Sequence, residues 1–334
     1  MVVLNFYGKI EPICISNKLK IYISNLPSDE HNNWQHSLAE DLKHGIKSLN
    51  ILGEEIGKEP VKELFSKVFP EKNIQCFDDD TIYNNLAQNM ICIYFDYKYE
   101  DMPLGDWTTN CFDGRFCEDD CSEKFINFLQ YINSPSMEFI SYPRPVPYWI
   151  YSSNYDRVDY SRLYGGGDKA EAYIDCLKKW GELIDSFLSD KNDYLLLDYL
   201  FNSLYKDNEY NEYHLLKAYS LCQLFLEEEH EYELDSKLID FMDDDDQENK
   251  KISAKYFRKL RNKIAHGDFV AFENLVEEYA KKILDDRMTY DYAEYSRKNW
   301  VIIHVCCELD SVVRRLILML LQNPKKLQKI KNTR

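Results

Sequence analysis

The chain has 334 residues, 45% of them hydrophobic, with a formal net charge of −17 and ten cysteines. That is enough apolar material for a sizeable core and for more than one domain. The acidity excludes a protein that coats nucleic acid indiscriminately, and cysteines without a regular framework in a chain this long exclude a disulfide miniprotein. No signal peptide is expected, because residues 1–7 are short and are followed at once by charged and polar residues. The expectation is a cytoplasmic protein with reduced thiols.

The N-terminal part reads as mixed. Residues 2–7, 13–15 and 19–23 carry the short β-branched and aromatic runs of strands, as do 90–97 and 146–151. Residues 34–52 and 61–68 have helical spacing. Cys111, Cys117 and Cys121 lie close together, but no tight Cys-x-x-Cys pair occurs and a fourth zinc ligand would have to come from Cys92 or His31. They are read as free thiols. The tyrosines around residues 142–160 are read as packing rather than as a recognition surface. Gly165, Gly166 and Gly167 make a hinge or tight loop, and Asp168 is placed to cap the helix that follows. A phosphate loop is not expected, since the Gly-Lys-Ser/Thr ending is missing.

From there on the pattern is helical, over about 169–188, 193–205, 211–230, 251–266, 269–285 and 294–321. Asp243–Asp246 reads as a solvated acidic loop without calcium-loop spacing. Residues 300–321 are strongly apolar, but Glu308, Asp310, Arg314 and Arg315 in their middle make a bilayer span very costly. A helix buried in a bundle or dimer interface is expected, with Asp310 and Arg314 paired on one face. His304, Glu308, Ser311 and Arg315 share a helix face and are read as a polar face that satisfies itself. The basic residues 325–334 are expected to fray. The fold class is α+β: a mixed α/β domain over 1–165, then an all-α bundle over 166–334.

Charge is uneven. Residues 1–204 carry a net −14 and residues 205–334 a net −3, while residues 255–263 hold five basic residues and no acidic one. In this basic stretch Phe257, Leu260 and Ile264 recur at i, i+3 and i+7, a buried stripe with Arg261 at its flank. Lys255, Lys259 and Lys263 cover the other side. His266 comes at the helix end, and Gly267 suits the left-handed position that closes helices. A permanent cation and an imidazole at one helix end suit metal-free phosphodiester cleavage. The same residues also suit a cationic helix C-terminus, in which His266 and lysines complement the helix dipole.

Arg261-Asn262-Lys263-Ile264-Ala265-His266-Gly267, with helices before and after, resembles the ribonuclease motif of the HEPN superfamily, and most closely its Apea-like branch of anti-phage proteins. The likeness covers roughly residues 195–325. It implies an endoribonuclease without metal or other cofactor, acting on cellular RNA such as tRNA in abortive infection or as a toxin, and leaving a 2′,3′-cyclic phosphate. Arg261 would stabilise charge on the phosphoryl oxygens, His266 would act as general acid or base, and Asn262 would orient the phosphate or the imidazole. Lys255, Arg258, Lys259 and Lys263 would bind RNA. The resemblance further implies a homodimer and a phage-derived trigger or an antitoxin, with residues 1–165 as sensor. Where HEPN toxins paired with nucleotidyltransferases carry a tyrosine, this chain has Asp268. The alternative is a catalytically inactive HEPN adaptor that binds RNA or a protein.

Overall fold

The structure is a computed structural model that describes residues 2–7, 10–25, 39, 79–95, 124–125, 128–129, 131–132, 148–152, 155–161, 170–204, 210–228, 234–243, 246–284 and 294–332. Packing divides the chain into two compact units, Met1–Phe201 and Asn202–Arg334. The expected helices at 34–52 and 61–68 (apart from Ala39, which is helical), the glycines with Asp168, and the three clustered cysteines lie outside the described residues.

The first unit contains a six-stranded sheet. Its strands are β1 (Val2–Tyr7), β2 (Ile13–Ser16), β3 (Ile21–Asn25), β4 (Met90–Phe95), β5 (Tyr148–Ser152) and β6 (Tyr155–Ser161). Their spatial order is β2-β3-β4-β1-β5-β6, and every neighbouring pair is antiparallel. The N-terminal strand is therefore central, with Val3 opposite Cys92 on one side and Trp149 on the other. β6 was not expected. Asp156, Arg157 and Asp159 hide its alternation, and such charges are tolerated because it lies at the sheet edge. Helix α1 (Asp79–Gln88), just before β4, was not expected either.

Helices α2 (Ala170–Phe187) and α3 (Lys191–Ser203) belong to this unit up to Phe201. α2 buries Leu177, Trp180 and Ile184 at i, i+3 and i+7. It comes so close to β2 that a Cβ on Gly181 would stand 1.8 Å from the Ile15 carbonyl oxygen. Asp185, one turn on, accepts from the Ser16 hydroxyl and from the N–H groups of Asn17 at 2.7 Å and Lys18 at 3.2 Å. Its carboxylate thus satisfies the turn between β2 and β3. Phe201 meets the buried rings of Phe125 and Phe128 at 6.2 and 4.9 Å. The contacts of Gly181 and Asp185 tie α2 to β2, and those of Phe201 join α3 to Phe125 and Phe128; composition changes near residue 165, and the first unit runs on to Phe201.

The second unit is helical among its described residues: α4 (Glu212–Leu226), α5 (Leu234–Leu238) running into a 3₁₀ turn (Ile239–Phe241), α6 (Gln247–Ala265), α7 (Phe269–Lys282), α8 (Glu294–Gln322) and α9 (Pro324–Lys331). α8 is the central staff. Val301, Val305, Leu309, Val312, Leu316 and Leu320 are buried along one stripe and pack mainly on α4. No helix among the described residues is long and apolar enough to cross a membrane. Within this apolar packing, His214 Nε2 on α4 lies 2.9 and 3.0 Å from the two carboxylate oxygens of Asp310 on α8. These side chains are only 2% and 3% exposed. Arg314 approaches the same carboxylate at 4.0 Å, the expected i, i+4 pair.

The polar face of α8 finds its partners on other elements and does not satisfy itself. His304 Nδ1 lies 3.1 Å from the Tyr279 hydroxyl, Ser311 donates to Asp243 at 2.6 Å, and Arg315 bonds the Phe241 carbonyl at 2.6 Å and forms an ion pair with Asp243. Asp243 and Asp246 are exposed, as a solvated acidic loop would have them, and both also make structural contacts, Asp246 as the cap of α6. The reading of residues 325–334 as frayed also fails over α9. Asn323 caps this helix, Pro324 occupies its first turn, and Leu327 is buried. The buried Lys237 ammonium ties the ends of α4 and α9, donating to the carbonyls of Leu226 at 3.0 Å and Lys331 at 2.6 Å.

Two substitutions test these contacts. Gly181→Ala would improve helix propensity, but the clash is with backbone that cannot swing aside; we expect a net loss of about 2 kcal/mol in urea denaturation. His214→Ala leaves the Asp310 carboxylate buried without the imidazole and should cost about 3 kcal/mol by the same measurement. Unchanged midpoints would refute these packing accounts.

Candidate functional site

α6 carries the candidate residues. Its first turn is capped by Asp246, whose carboxylate accepts from the Glu248 N–H at 2.8 Å. Tyr256, Phe257 and Leu260 are buried, and Ile264, the last of the expected stripe, is only partly covered. The helix closes at His266. The Asp268 N–H bonds the Lys263 carbonyl and the Gly267 N–H bonds that of Ile264, both at 3.0 Å. Gly267 has φ +68°. These are the paired bonds of a Schellman closure, for which glycine was expected at this position. Asp268 then caps α7, accepting from the Ala271 N–H at 3.3 Å, and forms an ion pair with Lys263 at 2.7 Å. The Lys263 hydrogen bond holds its carboxyl below the usual range. The residue that departs from the toxin pattern is therefore the joint between two helices.

Arg261 and His266 stand five residues apart, about 140° around the axis at 3.6 residues per turn. They consequently serve different sides of α6. Arg261 turns to α4, where its guanidinium donates to Gln223 at 3.4 Å and its Cζ lies 5.7 Å from the centre of the Tyr219 ring. Burial pushes the Tyr219 phenol pKa up, which keeps that ring neutral. Arg261 also donates to Asn262 Oδ1 at 3.2 Å, and its Nε is buried with no hydrogen-bond partner among the described residues. His266 is exposed.

Asn262 links the two sides. With Lys259, Lys263 and His266 it forms one wall of an open groove of about 540 Å³ along the α6–α7 hairpin. The opposite wall is Ala271, Asn274, Leu275 and Glu278 of α7, and Asp268 closes the turn end. Each wall follows i, i+3, i+4, i+7, the spacing of one helix face. Of the basic residues expected to bind RNA, Lys259 and Lys263 line this groove. Lys255 is exposed but does not line it. Arg258 is held by Asp235 at 2.8 Å, a hydrogen bond that raises its pKa. Lys259 lies 5.4 Å from the centre of the Tyr256 ring.

Tyr219, Gln223, Asn274 and Glu278 were not singled out from sequence. Each is ordinary for its helix, and the only sequence sign is the i, i+4 spacing within each pair. Among the described residues no group of three or more His, Cys, Asp and Glu side chains converges as metal ligands would. Cys92, a conceivable zinc ligand, is buried in the sheet, which pushes its thiol up to about 12.

Comparison with protein-family models, with curated proteins and with solved structures found no match.

The closure at Gly267 gives a clean test. No atom lies within 4 Å of a Cβ built there, so Gly267→Ala is penalised by backbone conformation alone. It should lower stability by about 1 kcal/mol, and Gly267→Asn by less, because Asn tolerates the left-handed region. Thermal melts of the three proteins would check the order.

Proposed function

We propose that the protein is a HEPN-type endoribonuclease that cleaves cellular RNA without a metal, in anti-phage abortive infection or as a toxin. The supporting observation is the placement of the motif. Asn262 is hydrogen-bonded to Arg261 on one side and, with His266, lines an open groove bearing Lys259 and Lys263 on the other.

The chemistry needs only these groups. The RNA 2′-oxygen bonds to the adjacent phosphorus while the bond to the 5′-oxygen breaks, leaving a 2′,3′-cyclic phosphate and a 5′-hydroxyl. One proton leaves the 2′-oxygen and one reaches the 5′-oxygen, and an exposed imidazole is suited to either transfer. A guanidinium has five N–H donors. Arg261 spends one each on Gln223 and Asn262 and its Nε–H is buried, so two donors remain for phosphoryl oxygens. Phe269 and Val270 are exposed directly after the motif, apolar surface that suits a homodimer bringing two sites together. The sheet unit would then sense a phage-derived trigger or receive an antitoxin.

One observation favours the adaptor reading instead. Arg261 is engaged by Tyr219 and Gln223, as a purely structural cation would be. The readings separate on purified protein incubated with total bacterial RNA in EDTA. The ribonuclease should release 2′,3′-cyclic ends, and His266→Ala should lower the rate by roughly 10²–10⁴-fold with an unchanged melt, since the residue is exposed. Equal cleavage by both proteins would refute the assignment, and intact RNA with retained binding would favour the adaptor.

A further inference from the structure

The α6–α7 groove is more differentiated than backbone binding requires. The wall of α6 is cationic, with Lys259, Lys263 and His266, and at the turn end Asp268 also lines the groove, its carboxylate neutralised by the Lys263 ammonium at 2.7 Å and by the Ala271 N–H. The wall of α7 carries no cation. It presents Ala271 and Leu275 as apolar floor, then the Asn274 amide and, one turn on, the Glu278 carboxylate. Asp268 is offset by its ion pair, whereas Glu278, with no ion pair among the described residues, would repel phosphates in a groove meant only for them.

Glu278 is also held in place. One of its oxygens accepts from the Tyr256 hydroxyl at 3.1 Å. Tyr256 is itself fixed, being 3% exposed with its ring edge-on to the fully buried Tyr279 at 5.6 Å. The ammoniums of Lys259 and Lys282 lie 5.4 and 5.6 Å from the Tyr256 ring centre, so positive charge offsets the carboxylate. A carboxylate accepts at both oxygens, so Glu278 keeps acceptor capacity beyond the Tyr256 bond. Because the hairpin is antiparallel, Lys263 and His266 mark its turn end and Glu278 its far end. From Ala271 to Glu278 the rise is about 10 Å.

We infer that this groove is a nucleotide subsite that reads the base. The phosphate lies at the Lys263 and His266 end, the base rests on Leu275, and Asn274 and Glu278 face its edge. A fixed carboxylate accepts from an exocyclic amino group, as on cytosine, adenine or guanine. Uracil has no amino group: its edge carries two carbonyl oxygens, which the carboxylate repels, with a single ring N–H between them. The inference rests on the ribonuclease reading for its substrate class, and it adds specificity residues on α7, outside the motif.

The test is calorimetric titration of the full chain with each of the four ribonucleoside 3′-monophosphates. The wild type should bind at least one amino-bearing nucleotide roughly fivefold or more tightly than 3′-UMP. Glu278→Gln can donate as well as accept, so it should bring that ratio close to one, with an unchanged melt because the residue is exposed. Lys263→Gln should weaken all four nucleotides alike. Equal binding of the four by the wild type, or undiminished discrimination in Glu278→Gln, overturns the subsite. RNA cleavage scored in parallel separates the two readings. Cleavage with base-blind binding removes the subsite and leaves the ribonuclease, whereas base-dependent binding without cleavage keeps the subsite and removes the catalysis.

Discussion

The buried pair of His214 and Asp310 is the constraint around which the helical unit is arranged. A carboxylate removed from water is tolerated where its hydrogen bonds are made, which favours the register in which α4 and α8 bring His214 to Asp310. Apolar stripes alone would allow slippage by a turn at modest cost. The polar pair disfavours it, and in doing so places Tyr219 and Gln223 further along α4. These two residues receive Arg261 and set the rotation of α6 about its own axis. Once that rotation is set, the face carrying Asn262 and His266 looks outward, onto the groove.

A second constraint acts at the end of α6. The Schellman closure and the Asp268 cap join two helices with almost no intervening chain. A short antiparallel hairpin necessarily has an inner seam and an outer groove. Phe257, Leu260, Phe272 and Val276 fill the seam. The outer groove is left to polar residues, and its chemistry is decided by which of them fall at the facing positions. Rigid helices on both sides make such a groove better ordered than one lined by a loop.

Much of this was legible in the sequence. Six long helices of the C-terminal part and five strands of the sheet follow from periodicity, because burial of one face imposes a period of 3.6 or 2 whatever the partner. The closure at Gly267 and the Asp310–Arg314 pair are local, within a few residues along one element, and local geometry is what spacing encodes. The exceptions are instructive. β6 carries charges because an edge strand can, and residues 325–334 look like a tail because their one buried anchor, Leu327, gives no periodicity in so short a helix. Asp243 and Asp246 are solvent-exposed acid, and their pairing goes unseen in the sequence because their partners lie on other turns or on a distant helix.

By itself, the sequence determined the long helices of the C-terminal part and five of the six strands, the basic stretch on α6 and the Arg261–His266 spacing at a helix end that closes on glycine. Those properties depend on neighbours three to five residues away. Tertiary structure decided everything that depends on partners remote in sequence: that α2 packs on β2 through Gly181, that His214 meets Asp310, that Arg261 faces Tyr219 and Gln223 rather than His266, and that Asn274 and Glu278 share a groove with Asn262 and His266. The reason is physical. A helix face is written in the period of its own residues, but which surface covers it is settled only when shapes, buried charges and chain connections are satisfied together.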